Sequence, residues 1–439
     1  MNLARVMADY STSVSYGDLS AGVVWEAKRR IIDSIGVSFA ALDATPVKIA
    51  RTMVDRTESM QGAALMGSKV GTPVEEAAFV NGCAVRYLDF DDIYLSKQAM
   101  HPSDNIPALM AVAETEGASY KDFIAGVVLA YGVACRLADA SSIRDRGWDH
   151  VVYIVISSAV GAAHIMSLGV EQTMQAINLA VTSSIVLCQT RAVELFMWEG
   201  CTAVNAAKNG VFAASLVKHG MADPSPVFEG KMGFFEQVAG DFVILFEEKN
   251  HKIVETHLKS YPIEHHAMSA VDAVMKLKNQ AVGQIESIIV GMFTVGWKII
   301  ARDPEKWNPQ TKETANHSLP YTVDRAFLDG GIWLDSYDSI KIQDDRIKAL
   351  LKTTKVNVDP HYDRLYPKAV PNRVQIRCGG TIIAEEVVCP RGHYMNPLTD
   401  GEANRKYSRL GRPSDALPML RNMERRGISD VMQVLNKDE

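Results

Sequence analysis

The strongest constraint in this 439-residue chain is a twenty-residue stretch, Val151 to Val170 (VVYIVISSAVGAAHIMSLGV), that contains no Asp, Glu, Lys or Arg. A run of that length is either a membrane span or a helix surrounded by other helices. Ser157, Ser158, Gly161, His164 and Ser167 interrupt its apolarity, and no cationic flank marks it as a topogenic signal. It therefore reads as a helix buried in a large core, with no membrane partner. A core of that depth needs many partner helices, and a chain of this length has room for about two domains to supply them.

The surrounding sequence provides those helices. Val24, Ala27, Ile31, Ile35, Phe39 and Leu42 recur at three and four, one face of a helix. Thr72-Pro73-Val74-Glu75 reads as an N-cap, a first-position proline and a capping-box acid leading into a helix over 77–88. Ser119 and Asp122 open another, with Phe123, Val127, Tyr131 and Ala134 in register. Further helices are expected near 105–116, 151–168, 171–181 and 206–218, the last closed by Gly220.

After about residue 265 the texture changes. Residues 284–295 (QIESIIVGMFTV) and 355–358 are strand-like, and 373–388 (RVQIRCGGTIIAEEVV) reads as a hairpin turning at Gly379-Gly380. Helical runs around 321–328 and 344–352 alternate with them, and the tail is helical again, with Ile428 to Leu435 amphipathic. The expected fold is mainly α: a large all-helical domain formed by the N- and C-terminal segments, 1–265 plus 398–439. A smaller α+β domain with antiparallel strands is inserted over 266–397.

Composition removes several function classes. A net charge of −6 with no Lys/Arg run argues against nucleic-acid binding. The six cysteines, Cys83, Cys135, Cys188, Cys201, Cys378 and Cys389, form no C-x-x-C pair. They read as reduced thiols of a cytoplasmic protein, without a zinc ribbon or iron–sulfur cluster. The N-terminus lacks the apolar core of a secretory signal.

Chemistry concentrates in Leu88-Asp89-Phe90-Asp91-Asp92 and His101-Pro102-Ser103-Asp104-Asn105. The first ends one predicted helix and the second begins the next, so carboxylates and an imidazole share one loop beside a helix N-terminus that attracts anions. The simpler reading has Asp104 capping that helix; Asp89, between Leu88 and Phe90, is expected to be buried. A magnesium-dependent diphosphate site would need a DDxxD pattern, and Asp91-Asp92 is followed by Ile93-Tyr94-Leu95.

These two segments, with Asn81-Gly82 before them, resemble the signature of the MmgE/PrpD family, whose members include 2-methylcitrate dehydratase, cis-aconitate decarboxylase and an iminodisuccinate epimerase. The resemblance continues in order through Gly147-Trp-Asp-His150, Met197-Trp198, Gly200-Cys201, Asn205-Ala-Ala-Lys-Asn-Gly210, Lys259-Ser-Tyr-Pro262, His317-Ser-Leu-Pro-Tyr321 and Leu328-Asp-Gly-Gly331. It implies a homodimer that needs no metal or organic cofactor, with an active site between a helical and an α+β domain. The positions matching the family's catalytic set are Asp89, His101, His150, Lys259 and Tyr321. Asp92, Ser103, Glu199, Lys208 and His317 complete the expected substrate-contacting set.

That set suits elimination beside a carboxylate: a base takes a proton, an acid protonates the leaving hydroxide, and a cation holds the accumulating charge. Each residue also has a plain structural reading. His150 could start a helix, Lys259 could lie on the surface, and Tyr321 could be a core tyrosine with a satisfied hydroxyl. His164, His265 and His266 read as core or surface residues. Two departures matter. Glu199 follows Met197-Trp198 where family dehydratases usually carry a lysine, leaving Lys208, Arg144 or Arg146 to compensate, and Ile93 stands where a decarboxylating relative has threonine.

The expected function is a cofactor-independent lyase that dehydrates 2-methylcitrate or a related small polycarboxylate. A decarboxylase or epimerase on the same scaffold is the alternative, and a non-catalytic carboxylate-binding paralogue the third.

Overall fold

The computed structural model describes residues 2–54, 62–68, 70–191, 195–246, 251–411 and 416–436. They form two compact units. The first comprises Met1–Thr190, Trp198–Thr256 and Thr399–Glu439; the second comprises Arg191–Met197 and His257–Leu398. The fold is mainly α, and the first unit is built from both ends of the chain.

In the first unit α1 (Leu3–Ser13), α2 (Ala21–Ala40), α3 (Thr45–Val54), α4 (Val74–Arg86), α5 (Asn105–Thr115), α6 (Tyr120–Ala140), α7 (Val151–Ile165), α8 (Val170–Ser183) and α9 (Glu199–Lys218) follow in order. The charge-free run becomes α7, whose side chains are all buried except His164. It packs against α1, α5, α6, α8 and α9. Close packing depends on small residues: a Cβ on Gly210 of α9 would sit 2.4 Å from the Val155 carbonyl of α7. His164, on the rim of α7, turns its Nδ1 toward the Ser11 carbonyl at 3.3 Å, and burial lowers its pKa.

Among the described residues the helix long and apolar enough to cross a membrane, by length and composition, is α6 rather than α7, and 89% of its most apolar window is buried. Ser119 caps it as expected, its hydroxyl accepting the Asp122 N–H. Thr72 does not cap α4. Pro73 takes the cap position, and the Thr72 hydroxyl donates to Glu76 instead, at 3.2 Å. Thr72 belongs to a short ladder, β1 (Ala63–Ala64) with β2 (Gly71–Thr72), in a region read as purely helical. The next departure is α9, which begins at Glu199 rather than near 206. Gly200 and Thr202, weak helix formers, hide that start from propensity.

The second unit carries α10 (Met268–Lys278), α11 (Thr294–Ile300), α12 (Lys312–Asn316), α13 (Leu319–Asp329), α14 (Ser339–Ile342), α15 (Asp345–Leu351) and α16 (Pro360–Asp363). Its strands are β3 (Ile285–Met292), β4 (Thr354–Val358), β5 (Asn372–Cys378) and β6 (Thr381–Val387), in sheet order β4-β3-β5-β6. The hairpin turns at Gly379 and Gly380, with φ +51° and +77°, a region that favours glycine. The sheet is mixed, correcting the antiparallel expectation: β3 and β4 run parallel. The helices between those two strands give the chain the crossover length a parallel pair requires. Ile288, Val290, Val374 and Ile376 share the buried face with α10 residues such as Val271 and Val274. The tail adds α17 (Asp400–Arg409), α18 (Ala416–Arg421) and α19 (Ile428–Leu435) to the first unit.

Candidate active site

The C-terminal turn of α4 points a fully buried cation, Arg86, into the loop that follows. Its Nη1 lies 2.8 Å from Asp89 and 3.6 Å from Asp91, its Nη2 3.3 Å from Glu199, and its Nε 3.9 Å from Asp104. Burial opposes the guanidinium charge, but Asp91, Glu199, Asp89 and Asp104 outweigh it and raise the pKa above its usual value. Four carboxylates therefore surround one guanidinium inside the first unit. Asp89 reaches it from a left-handed backbone, φ +49°, a conformation that aspartate tolerates better than most residues.

Asp91 and Asp92 knit the two motif segments together. The Ser103 hydroxyl donates to Asp91 at 3.1 Å, while the Ser103 N–H and the Tyr131 hydroxyl donate to the two oxygens of Asp92. Burial raises the pKa of Asp92 against these hydrogen bonds and the field of Arg30. Asp92 and Ser103, expected at the substrate, thus have both polar ends engaged in holding the loop. Asp104 occupies the N-cap position of α5 without making a capping bond. Its carboxylate faces Arg86, which corrects the capping expectation: charge pairing with a buried guanidinium outweighs a cap.

The two expected histidines come together, with ring centroids 6.1 Å apart. His101 donates from Nδ1 to the Asp92 carbonyl at 2.6 Å, and its Nε2 lies 3.9 Å from Asp89. His150, just before α7, sets its Nδ1 2.9 Å from Asp149. Asp149 is itself fixed by the Thr190 hydroxyl and the Val151 N–H. Both imidazoles are thereby held through Nδ1, which makes Nε2 the working nitrogen of each.

Glu199 is buried in the first turn of α9, against Arg86. Lys208 lies nine residues along the same helix, about two and a half turns and so on the opposite face. Arg144 and Arg146 are exposed. Among the described residues none of these three cations pairs with Glu199, whereas Arg86 does.

The remaining expected residues stand in the second unit. Lys259 is buried. His317 is half-buried, its Nδ1 2.6 Å from the Asn316 amide oxygen. Near them Glu264 holds His266 at 2.6 Å; although burial works the other way, His266, His317 and Lys259 bring the Glu264 pKa below its usual range. Tyr321 is fully buried and donates its hydroxyl to the Ser336 carbonyl at 2.5 Å. Burial pushes that hydroxyl up to about 12.

Asp89, Asp91 and His101 each offer an atom within 4.8 Å of the others, a geometry that a metal ion could use. A cation there would meet the fixed charge of Arg86, only 2.8 Å from Asp89. The donor set therefore fits an internal guanidinium better than a metal ion.

Sequence reasoning missed Arg86 and Asp149 as site residues and gave Asp91, though part of the acidic cluster, no role of its own. Arg86 left a signal, the one charged residue between Ala77 and Leu88. Asp149 left none beyond adjacency to His150.

Comparison with known proteins places the chain in a family. Residues 5–246 match the model of the MmgE/PrpD N-terminal domain, and residues 261–425 that of the MmgE/PrpD C-terminal domain. The chain is 24% identical over 418 residues to a 2-methylcitrate dehydratase of Cupriavidus necator, covering 89% of this chain and 86% of that protein. It is 26% identical to a 2-methylcitrate dehydratase of Escherichia coli O157:H7, with the same coverage of both chains. It is 24% identical to a cis-aconitate decarboxylase of Mus musculus, over 89% of this chain and 82% of that protein.

Proposed function

The chain belongs to the MmgE/PrpD family, and from that premise we propose that it is a lyase removing water from 2-methylcitrate or a close polycarboxylate analogue. The observation that carries the reading is the histidine pair, two imidazoles 6.1 Å apart, each held through Nδ1 and set among buried carboxylates.

The two rings have different surroundings, which suggests different roles. His150, backed by Asp149, keeps a lone pair on Nε2, and the carboxylate stabilises the charge that arrives with an abstracted proton. It is assigned as the base. His101 has Asp89 at 3.9 Å and Asp91 at 3.7 Å, an environment favouring the imidazolium that protonates a leaving hydroxyl. It is assigned as the acid. Arg86 fixes Asp89 and stays protonated, taking no part in proton transfer. Lys259 keeps the cationic role the resemblance gives it, and Tyr321, with its hydroxyl on Ser336, is assigned to the core.

The test is turnover of citrate-like acids followed by NMR and by ultraviolet absorbance of the new double bond. Elimination abolished in His150→Ala and His101→Ala is the expected result. Unchanged turnover in either variant removes that residue from the mechanism. Released CO2 without loss of water would favour decarboxylation, which the mouse relative's name supports. A homodimer is also proposed, because exposed apolar side chains such as Leu187, Trp198, Phe212, Met232 and Leu245 concentrate in one part of the first unit's sequence. Sedimentation at single-chain mass would refute it.

A further inference from the structure

We propose that Cys83 and Cys201 form an oxidative modification site, a dithiol that peroxide converts to an intramolecular disulfide tying α4 to α9. The sulfurs of these two residues are 3.7 Å apart, across the contact between the helices. Both side chains are buried, and neither is in a disulfide.

The helices are close enough for the bond. A Cβ on Gly82 would stand 2.6 Å from the Val204 Cβ, and one on Gly200 would stand 3.3 Å from the Tyr87 Cα. The backbones therefore cross at nearly the closest distance that glycine permits, and each glycine is next in sequence to one of the cysteines. A disulfide needs sulfurs about 2.05 Å apart and Cα atoms within about 7 Å. Forming the bond closes the sulfur separation from 3.7 Å to about 2.05 Å.

The two thiols differ in a way that suits stepwise oxidation. Cys201 is the less enclosed, and the hydrogen bond from Cys83 lowers its pKa; the same bond raises that of Cys83. The Cys201 thiolate attacks one oxygen of hydrogen peroxide, the O–O bond breaks, and hydroxide leaves a sulfenic acid. The Cys83 sulfur then attacks that sulfur, the S–S bond forms, and the sulfenic oxygen departs as water. In sum two thiols and one peroxide give one disulfide and two waters. Reversal needs an external dithiol. Disulfides of this transient kind are the ones found in reducing compartments.

The location couples the chemistry to the site described above. Cys83 lies one helical turn before Arg86, and Cys201 two residues after Glu199, so the new bond spans the same helix pair as the Arg86–Glu199 contact. An effect on turnover rests on the proposed function; formation of the bond does not.

The full-length protein is treated with increasing hydrogen peroxide, quenched by alkylation under denaturing conditions and mapped by peptide mass spectrometry. The expected result is a Cys83–Cys201 linked peptide, a mass lower by about 2 Da per chain, and recovery of both thiols with dithiothreitol. Cys83→Ala and Cys201→Ala should each abolish the link, and circular dichroism checks that they fold. If both cysteines remain alkylatable while Cys188 or Cys389 oxidises, the proposal is overturned. If the link forms and no acid in the turnover panel reacts, the modification site stands and the lyase reading fails.

Discussion

The histidines of the two units show how one residue type is set for different work. In the first unit His101 and His150 stand against Asp89, Asp91 and Asp149. In the second, His257 places its Nδ1 2.9 Å from His265 Nε2, and its ring lies 4.0 Å from that of His393. Burial, then His257, His266 and Lys259, push His265 well below the ordinary value. Burial alone takes His393 to about 4. Carboxylates invite a proton onto an imidazole, whereas burial among other imidazoles keeps it neutral. The first group is suited to proton transfer and the second to packing, with the Met395 N–H donating to His393 Nδ1.

The largest expected effect tests the acid-rich side of this contrast. Arg86→Met removes a buried guanidinium that faces Asp89, Asp91, Asp104 and Glu199, so four buried carboxylates lose its charge. A stability loss of about 3–5 kcal/mol is expected from urea denaturation. A loss under about 1 kcal/mol would mean that the carboxylates are balanced by other means.

Asp149→Asn comes next. The amide keeps the shape, but its nitrogen facing Nδ1 demands the opposite imidazole tautomer, so kcat should fall about 100-fold with little change in melting temperature. A change confined to KM would instead make Asp149 a substrate-positioning group.

The third prediction concerns the second unit. His393 binds its proton more weakly in the folded protein, at about 4, than an ordinary imidazole does at 6.5, so the unfolded chain takes up more protons between those values. Stability from this group is therefore complete above about pH 6.5 and lost as pH falls toward 4. Between pH 7 and 5 the loss from His393 is at most about 2 kcal/mol, with His265 acting in the same direction. His393→Phe should flatten the pH dependence of the urea midpoint. An unchanged slope would show that other groups set it.

The smallest effect is expected from chelation. Because Arg86 supplies the cation beside Asp89 and Asp91, prolonged EDTA treatment should change turnover less than about twofold. Loss of activity restored by a divalent ion would assign a metal to that cluster.

Local patterns made most of the helices legible. The charge-free run identified α7, Ser119 marked the start of α6, and the double glycine marked the β5–β6 turn. Each is a short-range signal, set by side-chain burial, a cap or backbone freedom. The start of α9 was not legible because Gly200 and Thr202 favour no helix; contacts with α4 and α7 supply what propensity lacks. The parallel pairing of β3 with β4 was equally hidden, since a strand's sequence does not record its neighbour's direction.

By itself the sequence determined the family, the helical character and the adjacency of Asp89, Asp91 and His101. Tertiary structure alone decided which unassigned groups meet across distance: Arg86 with Glu199, 113 residues apart, and Cys83 with Cys201. The physical reason is that charge pairing and sulfur proximity act through space. A lone arginine in an apolar helix has Asp89 and Asp91 from the loop that follows it and Asp104 from the start of α5, and gains its fourth carboxylate, Glu199, only when α9 packs on α4. That packing depends on glycines at the crossing, and nothing in the residues adjoining Arg86 specifies it.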